Sequence, residues 1–485
     1  MTKFLKTKVF SILVMASLLL AACRGAEATS TQPPAATEGI ATQPPAPTGP
    51  TFNIVGTVNR DATQAAQSPS LSLDNANNLL IAWAENSSGG VRQIFASRLI
   101  GEDAFAPLGA SANIHTNVIA DEPTVTIAGE NRAVPWMAWS EPSPGFGNVS
   151  QIFASRFNAD TGLWQQAGED RGGGEASLNI ATDRAGTDPF IVGGSTELGA
   201  PPVPWVAWEE VSDVNPSSVQ IFVARGEKDD TAIGGFKWIT VGEVKADGEQ
   251  TLNVDRFRIS LHPTVVFAET ANSVPWVTWH ETGRDRPSRI FTARGVADPN
   301  TPGGFKWINV PACPPEDETK CALNINPLND AKDASMAAGS TIPGESTVPW
   351  IAWPEIGQNG KWQVFVSRLD TSTRNSFIQV GGSLNVDPNH DARTPIIVFV
   401  GNVPYVAWLE DDGTGKFEVQ LRHLASDPQT GTWALDTPAN GFNLDASLSN
   451  FNLAAVASAD TLFLAWGEGD PASSASQMVI GAFKP

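Results

Sequence analysis

Basic charge is scarce in this chain. Its 31 lysines and arginines stand against 52 aspartates and glutamates, for a formal net charge of −21. So acidic a surface repels polyphosphate, which argues against nucleic acid as a partner, and it disfavours direct adhesion to anionic lipid. Long hydrophobic runs are also missing. The one that exists, Val9 to Leu20, has twelve residues, short of the roughly 20 that a bilayer crossing needs. Cysteine is limited to three residues and tyrosine to one. The chain has no G-x-S-x-G, no H-E-x-x-H, no Walker loop and no dinucleotide fingerprint.

The short apolar run suits the core of an export signal. Lys3, Lys6 and Lys8 precede it, and it ends in Leu20-Ala21-Ala22-Cys23. That ending resembles the lipobox of bacterial lipoproteins, which implies cleavage after Ala22 and a lipid on Cys23. From Arg24 to about Pro50 the chain is rich in Ala, Thr, Pro and Gln, with TQPPA written twice. Such a segment cannot bury enough apolar surface to fold, and its prolines favour extended polyproline II. At about 3.1 Å per residue it reaches up to roughly 80 Å. The expected layout is a signal peptide over 1–22, a lipid anchor and tether over 23–50, and a folded region over 51–485. This places the protein on the extracytoplasmic side, held to the membrane by its N-terminal lipid only. Cys313 and Cys321 sit in the polar loop CPPEDETKC. In an exported chain that pair predicts a disulfide, whereas a metal needs four ligands and no His accompanies them.

Internal repeats dominate the rest. A strand-like segment ending in Trp-x-Glu occurs at Glu85, Glu141, Glu210, Glu281, Glu355, Glu410 and Glu468, as in VPWVAWEE and VPWIAWPE. Each is followed by a polar loop and a second strand such as QIFASRL or QVFVSRL, so each repeat holds a hairpin rich in Val, Ile, Trp and Phe. Both faces of the first of these strands are apolar, as expected of sheets stacked between neighbouring sheets. A short apolar stretch precedes each hairpin (PSLSL from Pro69, PTVVF from Pro263), with degenerate versions near Ser335 and Asn452. An aromatic segment follows six of them, and the seventh such segment, from Phe52, lies ahead of the first hairpin. Four strands per repeat, with Phe52 completing the last, predict an all-β fold. It is a seven-bladed β-propeller closed by the N-terminal strand, which protects the sheet edges.

At the hairpins the sequence resembles the BNR/sialidase-like propeller repeat. PSLSLDNANNLLIAWAE (Pro69 to Glu85) and the VAW-to-AR segments carry the likeness through all seven repeats. The chain departs from that pattern where the S-x-D-x-G-x-T-W box belongs: after Arg368 it reads LDTSTRNSF. For a sialidase the resemblance implies a Tyr nucleophile, a clamp of three arginines and an acid Asp. Here the one tyrosine, Tyr405, fills the slot held elsewhere by Trp136, Trp205, Trp276 and Trp350. Arg98, Arg156, Arg225, Arg294 and Arg368 each end the third strand of a repeat. Sialidase activity is therefore not carried over.

The seven glutamates and the Asn-containing segments before them (Asn179, Asn253, Asn324, Asn385) are expected at one end of the ring. They could line a face for a cation such as calcium, or for a polyol. The preferred reading is structural, with each Glu paired to the Gln that starts the next strand and to loop backbone donors, because a group present in every repeat builds repeats. Function then belongs to residues that break the pattern: His280 beside Glu281, Trp362 ahead of a third strand, and Asp387, His390 and Asp391 in one loop. The expected function is a non-catalytic binding or scaffold propeller for a protein or glycan, with no required cofactor. The alternatives are a glycan-binding lectin, or a glycoside hydrolase or lyase of the sialidase-like superfamily.

Overall fold

The β-branched and aromatic residues of each VPWVAW segment suit a strand covered on both faces, and Trp205, Val206, Ala207 and Trp208 are indeed wholly buried. The structure, a computed structural model, describes residues 49–485 apart from 246–247, 270, 284–285, 315–316 and 470–474. The expected signal peptide, Cys23 and nearly all of the tether lie outside the described residues. Among the described residues the chain is all-β, and no helix is long and apolar enough to cross a membrane.

Its strands form five antiparallel sheets of four and one sheet of eight. The larger sheet consists of two four-stranded units, 186–240 and 259–309, joined by a single parallel bridge between Val219 and Ile259. Four more units span 66–107, 121–166, 335–379 and 392–435. The last combines both ends of the described chain. Strand Thr51–Thr57 pairs antiparallel with Gln477–Lys484, Phe52 opposite Phe483. The offset Phe52 segment thus completes the unit that begins at Asn450. The two degenerate first strands are present as Ser335–Gly339 and Asn450–Ala457.

Residues three apart on a strand face opposite ways, and the paired tryptophans of each repeat use this. The first faces the following unit: Trp136 meets Phe236 and Trp238, Trp205 meets Phe267 and Phe305, Trp276 meets Phe377, and Trp350 meets Phe399. The second packs on the preceding unit, as Trp139 does on Leu80 and Ala82. Eleven tryptophans are fully buried, each contributing about 4–6 kcal/mol as an upper bound from roughly 150–250 Å² of covered surface. Ala465, Met478 and Ile480 of the last unit pack on Leu79, Ile81 and Trp83 of the first. The first strands of successive units touch in chain order, and Ala66–Leu73 touches Asn450–Ala457. The architecture is propeller-like, and its stacked units leave the first strands innermost.

Candidate functional site

The repeated glutamates make one arrangement seven times, and all seven are buried. One carboxylate oxygen of each accepts from the indole Nε1 two residues earlier and from a backbone N–H of the arriving loop. The other oxygen accepts from the next N–H of that loop. For Glu281 the donors are Trp279 Nε1 at 3.0 Å, Val254 N at 2.6 Å and Asp255 N at 3.0 Å. For Glu355 they are Trp353 Nε1 at 3.1 Å and the amides of Ile325 and Asn326, both at 2.7 Å. Glu85, Glu141, Glu210, Glu410 and Glu468 repeat the pattern.

The residue before those two amides is asparagine, and it holds the loop to the unit it has just left. Oδ1 of Asn179, Asn253, Asn324 and Asn385 accepts from Ile152, Ile221, Ile290 and Val364 on the preceding third strands. Three residues thus staple each unit to its neighbour. The facing glutamines bond elsewhere: Gln151, Gln220 and Gln363 donate to the loop carbonyls of Thr182, Arg256 and Pro388. The expected Glu–Gln pair is therefore replaced by a Glu–Trp pair, which the Trp-x-Glu spacing encodes because residues two apart share a strand face. Burial pushes Glu210 and Glu281 up to about 7, against the pull of these hydrogen bonds. Both oxygens of every carboxylate are engaged within the scaffold.

Of the other sequence candidates, Trp362 and Asp391 adjoin, and so do Asp387 and His390. Trp362 is half-buried under the Lys332 ammonium, 4.9 Å from its ring. Asp391 is committed to the Trp362 amide and to Lys361, while His390 lies 3.8 Å from Asp387. Tyr405 is buried against Phe483, and burial followed by the charge of Asp436 lifts its hydroxyl to about 12.

His280 leads to a cluster that the sequence reading missed. Near the start of each innermost strand one non-glycine residue is left-handed: Ser68, Glu122, Asp188, His262, Asp333, Thr394 and Asn452, with φ between +45° and +54°. In six units the pairing register slips around this residue. Such bulges re-aim a side chain, at roughly 1–2 kcal/mol for an L-residue in this conformation. The conformation recurs in every unit, but the chemistry does not. Ser68, Thr394 and Asn452 are neutral, whereas Glu122, Asp188, His262 and Asp333 occupy four successive units and touch. His262 Nδ1 lies 2.5 Å from Asp188 Oδ2, and Nε2 lies 3.3 Å from Asp333 Oδ1. Glu122 accepts from the Asp188 amide at 2.8 Å.

Two pattern-breaking second-strand residues support this arc from behind. Glu209, 5% exposed, accepts from the His262 amide at 2.6 Å. His280 stacks on His262 with ring centroids 5.5 Å apart, and its Nδ1 accepts from the Asp333 amide at 3.3 Å. Other units carry Ala84, Ser140, Pro354, Leu409 and Gly467 in that slot. Burial, and then the charge of Asp188, raises Glu209 far above the carboxylate range. Asp188 is held low because the hydrogen bond and charge of His262 outweigh burial. Burial, then the charge of His262, pushes His280 down to about 3. A protonated carboxyl beside an ionised one can act as an acid–base pair. Among the described residues, Asp188, Glu209 and His262 also form the one group of three whose ligand atoms lie within 4.8 Å of one another. Part of the signal was readable: five of the seven left-handed residues directly precede proline at the start of a first strand.

A second polar knot sits on the expected disulfide, which joins Cys313 to Cys321. The bridged loop presents Glu318 to Arg258, Arg286 and Arg289, beside a cleft of about 680 Å³ that Lys245, Arg286 and Trp307 help line.

No family model and no curated protein matches the chain. Among solved structures, a protein of unknown function from Dyadobacter fermentans is 11% identical, covering 89% of this chain and 99% of its own, at a TM-score of 0.45. An alpha-L-arabinanase of Penicillium chrysogenum complexed with arabinobiose is 9% identical, with 89% and 98% covered and a TM-score of 0.45. A Trypanosoma rangeli sialidase in complex with the inhibitor DANA is 8% identical, with 76% of this chain and 56% of that chain covered, at a TM-score of 0.43.

Proposed function

We propose that the protein is a lipid-anchored, extracytoplasmic binding propeller of seven blades, without catalytic activity, whose ligand docks on the inner rim around His262. Each four-stranded unit is one blade, and the fold is a divergent BNR/sialidase-like ring without Asp boxes. Support for the blade count comes from the first strands, which touch in chain order with the last against the first. The observation that carries the functional reading is the contrast between two sets of polar groups. The repeated Glu and Asn side chains are consumed by the scaffold. Glu122, Asp188, His262 and Asp333 break the repeat at one equivalent position in four adjoining blades, and the His262 side chain is 51% exposed. Such an arc suits a ligand with hydroxyl or amine groups, such as a glycan or a polar protein loop.

The hydrolase reading is the rival, favoured by the Asp188–Glu209 pair with its split protonation. One comparison separates the two. The purified mature protein and its Glu209→Gln/His262→Asn variant are put on a glycan array and offered chromogenic sialosides and arabinofuranosides. Binding that the variant loses, with no turnover by either protein, is expected. Turnover by the wild type that the variant lacks would overturn the non-catalytic reading.

A further inference from the structure

The scaffold accounts for the left-handed residue that every blade shares, but not for the side chains gathered there in blades two to five. We infer that Asp188, Glu209 and His262 bind one divalent transition-metal ion of the Zn²⁺ or Mn²⁺ class; this rests on the rim being the ligand site and names the first thing it holds. The three residues come from three strands of two adjoining blades, Gly186–Gly194, Val203–Val211 and Ile259–Ala268. Their ligand atoms lie within 4.8 Å of one another. An ion about 2.1 Å from each donor needs them at most about 4.2 Å apart, so side-chain shifts of about half an ångström complete the site.

The supports such a site needs are in place. Asp188 and His262 stand on bulges with a fixed backbone. Glu209 is oriented by the His262 amide and by Thr187 Oγ1 at 3.4 Å. Asp333 lies beside His262 Nε2, and the His280 ring covers one face of the imidazole. A carboxylate on the far nitrogen is how metal-binding histidines are aligned, and here it leaves Nδ1 to face Asp188 and Glu209. The hydrogen between His262 Nδ1 and Asp188 marks the place the ion takes. Four carboxyl groups (Glu122, Asp188, Glu209, Asp333) face one imidazole and the ammonium of Lys332, 3.7 Å from Asp333, so a divalent ion that displaces the protons on His262 and Glu209 still leaves negative charge in excess. One imidazole and two carboxylates suit Zn²⁺ or Mn²⁺, whereas Ca²⁺ prefers oxygen throughout. The exposed side of His262 gives the ion an entry path and leaves coordination positions open for water or for oxygens of a larger ligand.

The test is calorimetric titration of untagged, chelator-stripped mature protein with ZnCl₂ and with MnCl₂. One equivalent of at least one metal should bind, and Asp188→Asn and His262→Asn should each weaken that binding tenfold or more. The last blade already carries asparagine at this position, so both variants should fold, as their melting transitions will report. His390→Asn, in the other loop with a histidine between carboxylates, should leave binding unchanged. Binding that survives both rim substitutions, or that disappears with His390→Asn, overturns the assignment. A wild type that takes up neither metal also overturns it. The glycan-binding comparison of the rim variant then still decides the rim reading by itself, so the two failures are distinct.

Discussion

Replacing Glu281 with glutamine preserves the side chain's size and removes one acceptor. The amide oxygen can still take the Trp279 indole and the Val254 N–H. The NH₂ group must then face the Asp255 N–H, donor against donor, in a site that is fully buried. Two buried donors, the Asp255 N–H and the new NH₂, are then left without an acceptor, each worth about 1–3 kcal/mol. Relief from burying a carboxylate that burial has already pushed to about 7 offsets part of this. The expected net cost is about 2–3 kcal/mol at pH 7. Glu281→Ala strands all three donors and leaves a cavity, for about 4–5 kcal/mol. Guanidinium denaturation should show the midpoint falling in the order wild type, Gln, Ala. Melting should fall by roughly 2–6 °C for Gln, taking about 1–2 °C per kcal/mol for a folded region this large. Glu355→Gln should cost about the same, because the arrangement is the same. A glutamine variant as stable as the wild type would refute the stapling account.

Stability should fall from pH 5 to 7.5. Glu210 and Glu281 have folded values raised to about 7 by burial, so their contribution is fully present below the unfolded value near 4.5 and is lost as pH rises through about 7; denaturation midpoints at the two ends of the window check this, and a rise would contradict it. Deleting residues 24–45 should leave the melting temperature unchanged, whereas deleting through Asn59 removes the strand paired with Gln477–Lys484 and should lower it by several degrees. Glu318→Gln leaves Arg258 and Arg289, whose side chains are 5% exposed, without a buried counter-charge, and should cost about 3–5 kcal/mol by denaturation.

The repeat made the fold legible because its signals are local. Trp-x-Glu marks a strand buried on both faces, the glycine- and proline-bearing loops mark its ends, and the displaced Phe52 segment reveals the closing pair. For the glutamates the sequence suggested a structural role but not the indole partner. The indole two residues away is a neighbour in sequence that reads as core, and Gln, the polar residue facing Glu across the hairpin, gives its amide to loop carbonyls instead. The rim was hidden for another reason. Asp188 and His262 are 74 residues apart, and only the stacking of first strands brings them together. His280 stood out because it interrupts Trp279-x-Glu281, whereas Glu209 was masked by the glutamate that follows it.

The central claim is that scaffold groups repeat while function resides where the repeat breaks. Its most direct test is the melting temperature of the triple rim variant Asp188→Asn/Glu209→Gln/His262→Asn, measured beside Glu281→Gln in metal-free buffer. The variant removes the Asp188–His262 ion pair with both of its partners, a change that is close to neutral, so it should melt near the wild-type temperature while Glu281→Gln melts below it. A rim variant that loses as much stability as Glu281→Gln would show that Asp188, Glu209 and His262 are part of the frame, and the account would be wrong.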